Sequence, residues 1–104
     1  SANIIIFLLC NNTIDSISLY VSFINKGIVP ILINSDLEES LIKDIIEKYN
    51  PSYIFTPLTN QNYDLNYAEF LTYNSFSVLK SSNVISVFVS VLDFISSKNL
   101  VLQK

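Results

Sequence analysis

The chain contains no histidine, no arginine, no methionine and no tryptophan, and it has a single glycine and a single cysteine. Without histidine there is no imidazole to serve as base, proton shuttle or metal ligand. Without arginine there is no bidentate fork for phosphate or guanine. The six lysines are dispersed and form no basic stripe, so nucleic acid is not an expected partner. Cys10 alone excludes an internal disulfide and a cysteine-rich zinc site. It closes an apolar run, where a buried and inert thiol is expected, and a reduced, cytoplasmic setting fits it.

Charge is scarce too, at 14% of residues with a net of −3. The apolar run at residues 4–10 falls far short of the roughly 20 residues that cross a bilayer as a helix, so no membrane is expected. It also lacks the basic flank and cleavage site of a signal peptide. With no methionine present, the start is expected to have been processed, cleaved or engineered, and Ser1 and Ala2 are set aside from fold reasoning.

What remains is an apolar chain of 104 residues, enough for one domain and one core. Residues 4–9 form a β-branched run bounded by Asn11 and Asn12, the pattern of a strand buried on both faces. Thr13 can cap a helix in which Ile14, Ile17, Val21 and Ile24 recur at helical spacing, with Tyr20 beside them. Gly27 stands where such a helix would end in the left-handed conformation. Residues 29–33 predict a second strand, with Pro30 confined to its first positions.

Ser35 and Glu38 have the S-x-x-E spacing of a capping box. The helix they open, over residues 36–49, carries Leu37, Leu41, Ile42, Ile45, Ile46 and Tyr49 as one apolar stripe. Asn50 and Pro51 stop it, and residues 53–55 predict a third strand closed by Pro57. Strand, helix, strand, helix, strand with short connections means parallel pairing. The expected fold class is therefore α/β, a two-layer or three-layer parallel β-α-β-α-β core over residues 1–57. The helices would share one face for strand order 1-2-3 and take opposite faces if the order reverses.

The remainder is expected to be a β-rich extension of the same single domain, residues 1–104. Residues 58–83 read as loop, with Tyr63, Tyr67, Phe70, Leu71, Tyr73 and Phe76 unevenly spaced. Packing of this meander onto the sheet is expected over base stacking, because no cation appears there before Lys80. Residues 84–92 are expected to be a strand, with a helix as the competing assignment because Ser86 and Ser90 are four apart. Residues 100–102 are expected to return as a further strand or hairpin arm.

Three segments together resemble the N-terminal region of the AMP-forming acyl-CoA synthetase superfamily, which also contains adenylation domains and luciferases. They are residues 3–12, residues 20–34 (YVSFINKGIVPILIN) and residues 41–55 (LIKDIIEKYNPSYIF). The family's Lys/Arg-x-Gly-x-x-Pro step has its counterpart in Asn25-Lys26-Gly27-Ile28-Val29-Pro30, and Tyr49-Asn50-Pro51-Ser52-Tyr53 resembles its Tyr-x-Pro-x-Tyr pattern. The resemblance implies an N-terminal scaffold of an enzyme that activates a carboxylate with ATP and Mg²⁺ and passes it to a thiol.

The chemistry of that family lies in a glycine-rich phosphate loop, where backbone N–H groups approach phosphate and a lysine holds its charge. At the corresponding place this chain has Val91, Leu92, Asp93, Phe94, Ile95, Ser96, Ser97, Lys98 and Asn99, with no glycine. Asp93 adds charge of the wrong sign, and Phe94 and Ile95 block the backbone. Ser96, Ser97 and Lys98 are out of register and read as a solvated turn. Glu38 and Glu39 diverge on a helix, and Lys80 beside Ser81 and Ser82 shows no strained elbow or oxyanion donor.

No catalytic, cofactor-binding or metal-ligating residue is therefore assigned, and no cofactor is expected in this chain; ATP and Mg²⁺ are implied for the family only. The first functional expectation is a non-catalytic N-terminal subdomain whose partner is the remainder of a larger ligase. The second is a small interaction module that self-associates as a homo-oligomer through an exposed sheet edge or face.

Overall fold

The computed structural model describes residues 4–58, 66–84 and 101–102. The expectations for residues 85–99, Tyr63 and the Ser96-Ser97-Lys98 turn lie outside them. Strand β1 (Ile6–Cys10) is buried along both faces, as its unbroken apolar run requires. Helix α1 (Ile14–Asn25) starts at Thr13, whose side chain accepts from the Ser16 N–H at 3.3 Å. It ends in a Schellman motif. The Ile28 N–H reaches the Phe23 carbonyl at 2.9 Å and the Gly27 N–H reaches Ile24 at 3.0 Å, with Gly27 at φ 74°.

Pro30 lies just ahead of β2 (Ile31–Asn34), so its missing N–H costs the ladder nothing. Helix α2 (Glu39–Tyr49) ends at Asn50, left-handed at φ 46°, followed by Pro51 and by β3 (Tyr53–Pro57). Strands β2 and β3 both pair parallel with β1, giving the order β2-β1-β3. The order therefore reverses after β2. Crossovers of one hand that step in opposite directions put their helices on opposite faces. Leu19 and Phe23 of α1 pack with Ile6, Leu8, Tyr53 and Phe55, whereas Ile42 and Ile46 of α2 pack with Phe7, Leu9 and Ile54. Alternate residues of the same strands serve the two helices, as the pleat dictates.

Three expectations need correction. First, residues 66–83 of the expected loop are not a meander lying over the sheet. They contain β4 (Tyr67–Tyr73) and β5 (Phe76–Ser81), a hairpin that extends the sheet itself. β5 pairs antiparallel with β3, β4 with β5, and the short β6 (Val101–Leu102) with β4, so the sheet is mixed. The register shifts between Glu69 and Leu71, and a bulge of this kind breaks the simple alternation that announces a strand in sequence.

Second, Ser35 and Glu38 form no capping box. Glu38 is the N-cap and makes no side-chain cap bond. The turn ahead of α2 is built by Asn34, whose Oδ1 accepts from the Asp36 N–H at 2.8 Å and whose carbonyl accepts from Leu37 at 3.2 Å. Ser35 is buried and its N–H is committed to the Cys10 carbonyl at 2.9 Å.

Third, the apolar stripe of α1 faces outward. Ile14, Ile17, Tyr20, Val21 and Ile24 are exposed, and the sheet is met by Ser16, Leu19, Ser22 and Phe23. The helix is apolar on most of its circumference, and the face that packs on the sheet is the one with Leu19 and Phe23. Phe23 stands edge-on to Phe55, with ring centroids 5.0 Å apart and planes at 81°.

Candidate functional site

Both parallel connections leave the carboxyl ends of β1 and β2 through short polar loops, and between these loops lies a recess of about 320 Å³. Cys10, Asn11, Asn12, Leu32, Ile33, Asn34 and Asp36 line it. The local sequence shapes it by hydrogen bonding rather than by packing. Thr13 Oγ1 donates to Asn11 Oδ1 at 2.5 Å, and the Asn11 N–H donates to Ser16 Oγ at 3.3 Å. The bond from Ser35 to Cys10 joins the two loops across the floor. Cys10 is half-buried rather than enclosed, and its Sγ approaches the Leu8 carbonyl at 3.5 Å.

This lining offers carboxamides and one carboxylate, Asp36, with no cation. It suits hydrogen bonding to a neutral polar group. A phosphate would meet Asp36 without a compensating charge. A second carboxylate stands outside the recess, at the start of α1.

That carboxylate is Asp15, which accepts from Ser75 Oγ at 2.5 Å, from the Ser75 N–H at 3.2 Å and from Asn74 Nδ2 at 3.3 Å. The Ser75 hydroxyl bond, above all, holds its carboxyl below the ordinary aspartate range; partial desolvation opposes this, and the bonds from the Ser75 N–H and Asn74 reinforce it. The same Ser75 offers its carbonyl to the Leu58 N–H at 2.9 Å, just beyond β3. In open α/β sheets the ligand crevice forms at the carboxyl ends of the strands, where the order reverses. Here the two-residue tip of the β4–β5 hairpin is fastened between the start of α1 and the end of β3, close to that point.

The side chains weighed from sequence are not brought together. Glu39 pairs with Lys43 at 3.2 Å along α2, while Glu38 precedes the helix. Lys80 Nζ donates to the Val84 carbonyl at 2.8 Å, and Ser81 Oγ accepts from the Asn83 N–H at 3.2 Å, so each is spent within its own turn. The recess residues Asn11, Asn34 and Asp36 were not singled out by sequence reasoning. The available signal was the placement of asparagine at the ends of two consecutive parallel strands. Among the described residues no three His, Cys, Asp or Glu side chains gather as a metal site, and no helix is long and apolar enough to cross a membrane.

The fold defines a mixed α/β domain with a strand-order reversal at β1. Compared with known proteins, the chain matches no family model, no curated protein and no solved structure.

Proposed function

We propose that this chain is the N-terminal structural part of an AMP-forming acid–thiol ligase of the acyl-CoA synthetase kind. It carries no phosphate loop and no catalytic group, and its partner is the remainder of the ligase. The supporting observation is where the resembling residues fall. Asn11 and Asn12 close β1, Gly27 takes φ 74° at the end of α1, Pro30 precedes β2, and Asn50-Pro51 separates α2 from β3. The turn residues of the motifs thus sit at junctions of the β-α-β-α-β unit, while Tyr49 closes α2 and Tyr53 opens β3. In this proposal the two helices are the outer layers of a three-layer scaffold, on which the acyl- and nucleotide-binding halves assemble.

The decisive experiment is to sequence the natural gene beyond Lys104 and assay its full-length product. A glycine-rich phosphate loop should follow, and the product should catalyse carboxylate-dependent exchange of pyrophosphate into ATP with Mg²⁺. A gene that continues into no such loop sinks the proposal.

A second reading, a non-catalytic module that associates with itself, is favoured by one observation: the solvent face of α1 is apolar.

A further inference from the structure

The two helices differ in the charge of their solvent faces. α2 exposes Leu41 and Tyr49 among Glu39, Lys43, Asp44, Glu47 and Lys48, and buries Ile42 and Ile46. On α1, Ile14 is 83% exposed, Ile17 64%, Val21 48% and Ile24 44%, with Tyr20 beside them at 40%. The only charged residue of α1 is Asp15, which lies off this stripe and is tied to Ser75 and Asn74.

We infer that the outward face of α1 is the interface between two copies of this chain, paired antiparallel about a twofold axis. Three observations carry this. The stripe residues are spaced three, four and three apart, which is the seam spacing of a coiled coil and reads the same in both directions. An antiparallel copy therefore sets Ile14 against Ile24 of the partner and Ile17 against Val21, and the reverse pairs are the same contacts, as a twofold interface demands. The five side chains offer on the order of 500 Å² per copy, so a pair buries about 1,000 Å², the area at which specific interfaces begin. Antiparallel pairing also sets the N-terminal, positive end of each α1 beside the negative end of the other, with Lys26 of each chain near the first turn of its partner.

This inference deepens the self-association reading and rests on it, but it stands apart from the ligase proposal. Light scattering across a concentration series should give a mass of twice 11.8 kDa. Ile17→Lys and Val21→Lys should each weaken the dimer more than about tenfold, because each buries an unpaired ammonium at the seam. Leu41→Lys on α2, at a similarly exposed apolar position, should leave it unchanged.

The register has its own test in a Cys10→Ser background. Ile17→Cys chains mixed with Val21→Cys chains should oxidise to the mixed disulfide in preference to either symmetric one. This readout stands even if a lysine variant fails to fold. A monomeric wild type overturns both the inference and self-association while leaving the ligase proposal in place. A dimer indifferent to lysine at positions 17 and 21 overturns the α1 interface but leaves association through another surface. Preferential symmetric 17–17 and 21–21 disulfides overturn the antiparallel register.

Discussion

Asp15 and Ser75, sixty positions apart in the chain, are joined twice, through the serine hydroxyl at 2.5 Å and its backbone N–H at 3.2 Å. The contact fastens the β4–β5 turn to the first turn of α1. A carboxylate there also complements the positive end of the helix.

A pH dependence follows from that contact. The folded carboxyl of Asp15 titrates below its unfolded value, which is about 3.9. The contribution is then complete above the unfolded value and is lost as pH falls through the lower, folded one. Asp15→Asn should destabilise the protein at pH 7 by about 1 kcal/mol, the low end for a charged acceptor because water reaches the pair. Urea denaturation of wild type and variant should show the two converging below about pH 4. An unchanged difference at low pH would mean that the charge of Asp15 does not act through this contact.

Gly27 separates conformation from packing. A Cβ built there meets nothing within 4 Å, while its φ of 74° is strained for other residues. Gly27→Ala should therefore cost about 1 kcal/mol through the backbone alone, and Gly27→Asn less. Denaturation midpoints that rank alanine as stable as glycine would refute this.

The Phe23–Phe55 pair is an aromatic tie between α1 and the sheet, and both rings are almost wholly buried. Each change to alanine should cost about 3–5 kcal/mol. The double-mutant cycle should return a coupling of about 0.5–1.5 kcal/mol from the edge-to-face contact. By contrast Ile17→Ser, measured at concentrations where the chain is monomeric, should change stability by less than about 0.5 kcal/mol. A large loss at Ile17 under those conditions would place its side chain in the core.

The chain by itself should bind neither ATP nor AMP at millimolar concentration. Asp36 meets any anion in the recess at the carboxyl ends of β1 and β2, and no lysine lines it. Calorimetric titration showing saturable heat with a dissociation constant below about 100 μM, roughly −5.5 kcal/mol, would contradict this.

The elements with unmistakable local chemistry were legible in the sequence. β1 announces itself by an apolar run too short for anything but a doubly buried strand. The ends of α1 are written in Thr13 and Gly27, and the end of α2 in Asn50-Pro51, because caps and breakers act over a few residues. The alternation of these elements was enough for three parallel strands.

Sequence periodicity could not decide which way α1 would face. Its isoleucine stripe is the more regular one, but burial is settled by contacts with distant strands, and the face that meets them carries Phe23, Leu19 and two serines. The S-x-x-E spacing at Ser35 failed for a related reason: Ser35 was drawn into the bond with Cys10, a partner 25 positions earlier. The strand order, the hairpin hidden by its bulge, and the recess between the Cys10 and Asn34 loops likewise depend on contacts between distant segments. Local sequence sets where the chain turns and ends its helices; only the packed sheet sets which surfaces are left facing water.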